Sequence, residues 1–179
     1  MMGGDAGVIS EVGVGSTFWI TVRLKRVADS RQVERPLIVE APREALARQF
    51  AGVRVLVVEN EPIYQEVVRF LLADAGLVPG IANNGQEAVE LARGGGYALI
   101  LMDMRMPVMD GLEATRAIRQ LPGMSAIPIV AVTANAFDTD RENCLAAGMN
   151  DHLAKPVDPG KLCATLLYWL QKATLLESS

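Results

Sequence analysis

The chain has 179 residues, of which 50% are hydrophobic and 5% aromatic, with a formal net charge of -4 and a sequence pI of about 5.1. This composition supports a packed core and excludes a wholly disordered protein, and the acidic balance argues against a nucleic-acid-binding surface. Two cysteines exclude a disulfide-stapled scaffold, and a single histidine excludes a multi-histidine metal site. The sequence shows neither a membrane-spanning apolar run nor a signal peptide. We therefore expect a cytoplasmic protein that contacts neither nucleic acid nor membrane.

Nothing in the first 52 residues is long enough to bury a core of its own. Thr17–Leu24 has the composition of a strand, whereas residues 26–35 are polar and the next seven residues include two prolines. Arg43–Phe50 is long enough for two helical turns. We expect this region to be a tail followed by a linker.

From Val53 onward, short β-branched runs alternate with amphipathic stretches of helical period. Five such βα units predict an α/β fold, a doubly wound parallel sheet of five strands with right-handed crossovers. The predicted strands are Val53–Val58, Leu77–Ala82, Tyr97–Met102, Ile127–Val132 and His152–Ala154, and the predicted helices are Pro62–Ala75, Glu87–Arg93, Leu112–Leu121, Arg141–Ala147 and Pro159–Gln171. The predicted apolar face of the first helix consists of Ile63, Val67, Phe70, Leu71 and Leu72.

Polar side chains follow four of the predicted strands. In an open parallel sheet, ligands bind at the carboxyl ends of the strands, so these side chains are expected to meet. Each alone is an ordinary loop residue, but together they suit phosphoryl transfer to a carboxylate, with an aspartate as nucleophile, a lysine and a hydroxyl for the phosphoryl oxygens, and Mg²⁺ on oxygen ligands. The groups are Glu59-Asn60-Glu61, Asp103, Thr133 and Lys155-Pro156.

Residues 53–172 resemble a response-regulator receiver domain. Four motifs have the order and spacing of that family: Val55–Pro62, Leu101–Gly111, Val132–Asn135 and Asp151–Val157. The resemblance implies a flavodoxin-like (βα)5 fold with strand order 2-1-3-4-5 and a cis peptide at Lys155-Pro156. It also implies that the chain is a monomer or weak dimer whose partner is a histidine kinase or a histidine phosphotransfer module.

The resemblance also assigns a role to each matching residue. Asp103 would be the phosphoacceptor, Thr133 the switch hydroxyl, and Lys155 the lysine that contacts the phosphate. The implied Mg²⁺ ligands are Glu59, Asn60, Asp103 and the backbone carbonyl of Arg105.

Two positions depart from the family pattern. Asn60 stands where the family has a second acidic residue, which predicts weaker Mg²⁺ binding, and strand alternation points the neighbouring Glu61 elsewhere. His152 occupies the aromatic switch position, where we interpret it as a rotameric switch or packing residue. Asn60 also raises an alternative function, a receiver-like interaction module that is not phosphorylated. A third candidate, an aspartate-nucleophile phosphatase, would need a second aspartate where Arg105 stands.

The stretch up to Leu24 resembles the end of a histidine-kinase ATP-binding domain, with a glycine-rich pattern at Gly13–Phe18. The upstream ATP-binding motifs and the dimerisation helix of that family do not occur in this sequence. We therefore predict that the chain is not itself an enzyme and is the C-terminal part of a hybrid sensor histidine kinase. The predicted organisation is a kinase remnant (1–24), a linker (25–52), a receiver (53–172) and a tail (173–179).

Overall fold

The computed structural model describes residues 4–11, 15–22, 40–134 and 138–177, which fall into two compact units divided after Val39. In the first unit, strand β1 (Gly4–Glu11) pairs antiparallel with β2 (Gly15–Val22). Strand β2 overlaps the predicted strand Thr17–Leu24. Gly13 and Val14 of the glycine-rich pattern, and residues 23–39 of the predicted remnant and linker, lie outside the described residues.

The second unit is a five-stranded parallel sheet with helices on both faces. The strands lie in the order β4-β3-β5-β6-β7, which is 2-1-3-4-5 when the five parallel strands are counted along the chain. The predicted fold class and strand order are confirmed. In chain order the elements are α1 (Pro42–Gln49), β3 (Arg54–Val58), α2 (Pro62–Asp74), β4 (Val78–Ala82), α3 (Gly85–Arg93), β5 (Leu99–Asp103), α4 (Gly111–Arg119), β6 (Ile129–Thr133), α5 (Asp138–Ala147), β7 (Asp151–Ala154) and α6 (Pro159–Glu177).

Two apolar clusters fill the space between the sheet and its helices. Alternate side chains of each strand enter opposite clusters, as the two-residue period of a strand requires. Val55, Leu99 and Val130 pack with α1, α2 and α6, whereas Leu56 and Ile100 pack on the other face with α3, α4 and α5. None of the helices in the described part of the chain is long and apolar enough to cross a bilayer.

Helix α1 belongs to the same compact unit as the sheet. Its Leu46 is fully buried in the cluster that contains Leu166 and Leu170 of α6, and its Arg43 lies 3.4 Å from a carboxylate oxygen of Asp74 on α2. The compact unit therefore begins at Glu40, thirteen residues before the receiver boundary predicted from the sequence. The sequence signal was weak because only two side chains of this eight-residue helix are buried. At the other end, α6 continues to Glu177, so most of the predicted tail is helical.

The apolar face predicted for α2 differs from the face that is buried. Val68 and Leu72 are the buried residues of this helix. Ile63, Val67 and Phe70 are instead exposed, by 75%, 48% and 71% respectively. The prediction was wrong at these three positions because the helix has apolar residues on two adjacent stripes, and periodicity alone does not say which stripe meets the sheet.

The burial of Leu46 predicts that α1 contributes to the stability of the sheet unit. Leu46→Ala should lower the free energy of unfolding by about 2–5 kcal/mol, because it leaves a cavity in the shared core. Chemical denaturation of the full chain, followed by far-ultraviolet circular dichroism, measures this change. The exposed Glu44 on the same helix provides the control, and Glu44→Ala should change stability by less than about 0.5 kcal/mol. Equal stability of the two variants would contradict the assignment of α1 to this unit.

Candidate functional site

Four of the predicted site residues lie at the carboxyl end of the sheet. Glu59 directly follows β3, Asp103 and Thr133 are the last residues of β5 and β6, and Lys155 directly follows β7. Glu59, Asp103 and Thr133 are only 3%, 7% and 4% exposed. Because β3, β5 and β6 are neighbours in the sheet, their ends bring these buried polar groups to one edge.

The ammonium group of Lys155 joins the two acidic side chains. Its Nζ donates hydrogen bonds to Glu59 Oε2 at 2.5 Å and to Asp103 Oδ2 at 2.9 Å. Burial alone would lower the pKa of Lys155, but the hydrogen bonds and negative charges of Glu59 and Asp103 outweigh it, so the net shift of the pKa is upward. Lys155 is therefore a cation at neutral pH, placed between two buried carboxylates.

Backbone groups hold the remaining carboxylate oxygens. Glu59 Oε1 accepts a hydrogen bond from the Glu61 N–H at 3.0 Å, and Asp103 Oδ1 accepts one from the Arg105 N–H at 3.2 Å. The side chain of Gln65, on α2, donates to the Glu59 carbonyl at 2.6 Å. Each acid is thus oriented by the loop that follows its own strand.

The other predicted residues surround this centre at different depths. Asn60 and Arg105 are exposed, each next to a buried acid. Thr133 accepts a hydrogen bond at its carbonyl from the Lys155 N–H at 2.7 Å, which ties the end of β6 to the lysine. His152 is partly buried in β7 and pairs across the sheet with Ala131, two residues before Thr133. Asn135, the end of one family-like motif, lies outside the described residues.

The loop between Asp103 and α4 has two unusual backbone positions. Val108 has a φ of 71°, a left-handed conformation that is rare for a β-branched residue. Gly111 packs so closely under the strand end that a Cβ there would overlap the Asp103 carbonyl oxygen. Asp110 and Glu113 form a capping box at the start of α4. These features fix the loop that carries the Arg105 carbonyl.

Tyr64 is a neighbour of the site that the sequence reasoning missed. Its ring centroid lies 4.5 Å from Lys155 Nζ, and its hydroxyl accepts a hydrogen bond from the Val157 N–H at 2.8 Å. The peptide between Lys155 and Pro156 is cis, as the family resemblance implies. The sequence did offer one signal for Tyr64, which is its place in the first turn of the helix that follows Glu59. Such a turn lies beside the carboxyl ends of the neighbouring strands.

Comparison with known proteins identifies the family to which the chain belongs. Residues 55–167 match the response regulator receiver domain, and this match covers more than half of the chain. The chain belongs to that family. Because the match is to the receiver domain, the chain is a receiver domain rather than a kinase. Its relatives include hybrid histidine kinases, of which it spans only a small part.

Relatives and solved structures agree with this assignment. The aerobic respiration control sensor protein ArcB of Escherichia coli K12 is 34% identical to this chain, and the alignment covers 92% of the chain. The chain spans only 20% of the length of ArcB. The magnesium-bound receiver domain of sensor histidine kinase PA1611 from Pseudomonas aeruginosa is 45% identical over 68% of this chain and 99% of that one, with a TM-score of 0.64. A co-crystal structure of the Saccharomyces cerevisiae phosphotransfer protein Ypd1 with the receiver domain of Ssk1 matches 67% of this chain and 90% of that one at 34% identity, with a TM-score of 0.63.

Proposed function

We propose that Asp103 accepts a phosphoryl group from a phosphohistidine and that this modification switches the surface of the receiver. The supporting observation is the buried Asp103 carboxylate, 2.9 Å from the Lys155 ammonium at the carboxyl end of the sheet. In the transfer, an Asp103 oxygen forms a bond to phosphorus while the bond between phosphorus and the donor imidazole nitrogen breaks. The imidazole keeps that bonding pair, and the product is an aspartyl phosphate.

The neighbouring groups suit the charge that this transfer brings into the site. The Lys155 ammonium neutralises a phosphoryl oxygen, and the hydroxyl of the buried Thr133 donates a hydrogen bond to another. We propose that Thr133 and His152 move toward the phosphorylated site. Since both lie on β6 and β7, their movement would alter the surface formed by these strands and α5.

We propose Mg²⁺ as the metal and Glu59, Asn60, Asp103 and the Arg105 carbonyl as its ligands. All four supply oxygen atoms, the chemistry that Mg²⁺ prefers. Bound Mg²⁺ would neutralise negative charge on the phosphoryl oxygens. Among the residues that the structure describes, no three His, Cys, Asp or Glu side chains group together as a metal site. The set therefore depends on the neutral Asn60 amide, and we infer a reduced affinity for Mg²⁺.

The longer polypeptide that we infer is a hybrid sensor histidine kinase. The similarity to ArcB covers 92% of the chain and so extends beyond the matched residues 55–167. We propose that residues 1–24 are a remnant of the kinase ATP-binding domain, that this chain has no enzymatic activity of its own, and that it acts in the cytoplasm as a monomer or weak dimer. The alternative, a module that is never phosphorylated, is not favoured, because the relatives include phosphorelay proteins.

We propose that the phosphohistidine-bearing partner docks on α2. The exposed side chains of Ile63, Val67 and Phe70 follow one another at helical spacing, so they form a single apolar stripe. This stripe starts at Ile63, four residues after Glu59 and close to the start of α2. A helix of the partner lying against the stripe could therefore bring a histidine to Asp103. Contiguous exposed apolar patches are typical of protein–protein interaction sites.

Phosphorylation of Asp103 is tested with a small phosphodonor. Incubation with Mg²⁺ and acetyl phosphate should add one phosphate to the wild-type chain, measured by intact mass spectrometry, and Asp103→Asn should abolish the addition because the nucleophilic oxygen is lost. The exposed Asp74 supplies the control, and Asp74→Asn should be modified like the wild type. An unmodified wild-type chain, or phosphate on Asp103→Asn, would contradict the proposal.

The metal site is tested at Asn60. Asn60→Asp should tighten Mg²⁺ binding about tenfold, because a third carboxylate joins the ligand set. Titration of Mg²⁺ against the amide NMR shifts of Asp103 and its neighbours gives the dissociation constant. Glu61 is the adjacent exposed acid, and Glu61→Gln should leave that constant unchanged. Weaker binding in Glu61→Gln would instead make Glu61 a ligand.

The apolar stripe is tested at Phe70, its one aromatic residue. Phe70→Ser should slow phosphoryl transfer from a phosphorylated histidine phosphotransfer protein by about tenfold or more, because buried aromatic side chains dominate interface energies. The transfer is followed by loss of label from the donor. Leu175 on α6 is equally exposed, at 70%, and Leu175→Ser is the matched control. Equal slowing by both variants would contradict docking on α2.

A further inference from the structure

The first turn of α2 reaches the loop after β7 at two points through one side chain. The ring of Tyr64 lies 4.5 Å from the Lys155 ammonium nitrogen, measured to its centroid. Its hydroxyl accepts a hydrogen bond from the Val157 N–H at 2.8 Å. Tyr64 therefore contacts both the charged end of Lys155 and the backbone two residues beyond it.

The ring contact restricts a side chain that is otherwise flexible. A lysine ammonium has three donors on a four-carbon stem, and here two of them are used by Glu59 and Asp103. An aromatic face attracts a cation electrostatically, and the attraction grows when water is excluded. The Tyr64 ring thus contacts the ammonium in addition to the two carboxylates, and the Lys155 side chain is only 18% exposed.

The hydroxyl contact and the next residue extend this control to the backbone. Tyr64 fixes the loop at Val157, while Gln65 donates to the Glu59 carbonyl at 2.6 Å. The first turn of α2 therefore contacts the lysine through Tyr64 and the backbone of Glu59 through Gln65. Both the acid and the lysine are thus in contact with the same helix, in addition to the loops that carry them.

We propose that Tyr64 is a positioning residue that holds the Lys155 ammonium against Asp103, and so sets the maximal rate at which Asp103 accepts a phosphoryl group. Tyr64 acts through Lys155 and does not itself touch the phosphoryl group. This role rests on the proposed function of Asp103. The ring is the essential part, because it is the part that contacts the ammonium.

The test compares Tyr64→Leu with Tyr64→Phe. With saturating Mg²⁺ and acetyl phosphate, Tyr64→Leu should reduce the maximal rate of aspartyl phosphate formation about tenfold, and Tyr64→Phe should retain the rate within about threefold. In the same variants, Mg²⁺ binding should not weaken, because a loosened ammonium competes less for the two carboxylates. General damage to the site would instead weaken Mg²⁺ binding and slow phosphorylation together.

A control and a spectroscopic measurement complete the experiment. Tyr168 on α6 also has a lysine near its ring, because Lys172 Nζ lies 5.8 Å from the ring centroid. Tyr168→Leu is the control and should be phosphorylated at the wild-type rate. The NMR shifts of the Lys155 ε-methylene protons should show the ring current of an aromatic neighbour in the wild type and in Tyr64→Phe, but not in Tyr64→Leu.

The proposal is overturned if Tyr64→Leu is phosphorylated at the wild-type rate or if Tyr64→Phe is phosphorylated as slowly as Tyr64→Leu. It is also overturned if the ring-current shift is absent from the wild type. A wild-type chain that accepts no phosphate contradicts the proposed function and the rate role with it. If the wild-type chain accepts no phosphate but still shows the ring-current shift, the Tyr64–Lys155 contact exists and the proposed phosphorylation of Asp103 is what is wrong.

Discussion

The hydrogen bonds from one ammonium group to two buried carboxylates constrain the whole carboxyl edge of the sheet. Glu59 and Asp103 are almost completely buried, and Lys155 is the cation that both of them contact. Three charged groups in contact leave one negative charge in excess. Removal of Lys155 would leave two like charges side by side, a change that costs several kcal/mol in buried sites.

The surrounding backbone also helps to keep these charged side chains in place. N–H groups of the loops after β3 and β5 orient the free carboxylate oxygens, and the close approach of Gly111 under Asp103 leaves no room for a side chain. The strained conformation of Val108 lies in the same loop. Strain of this kind persists only where the neighbouring structure enforces it.

The fold and the site residues were predictable from sequence to different extents. The parallel sheet followed from five βα repeats, and the meeting of Glu59, Asp103 and Lys155 followed from their position at strand ends. The roles of these residues in phosphoryl transfer remain predictions. Periodicity was wrong for Ile63, Val67 and Phe70, because a helix with two apolar stripes offers two solutions. Tyr64 was missed because its contact depends on the path of the loop after β7, which local pattern does not encode.

Helix α1 has a mechanical consequence for the chain that precedes the sheet. Leu46 shares one close-packed cluster with α6, and Arg43 lies beside Asp74 on α2. Close-packed interiors transmit displacement instead of absorbing it. A shift of α2 or α6 would therefore move α1 with it. Glu40, the first residue of the compact unit, would be displaced together with α1.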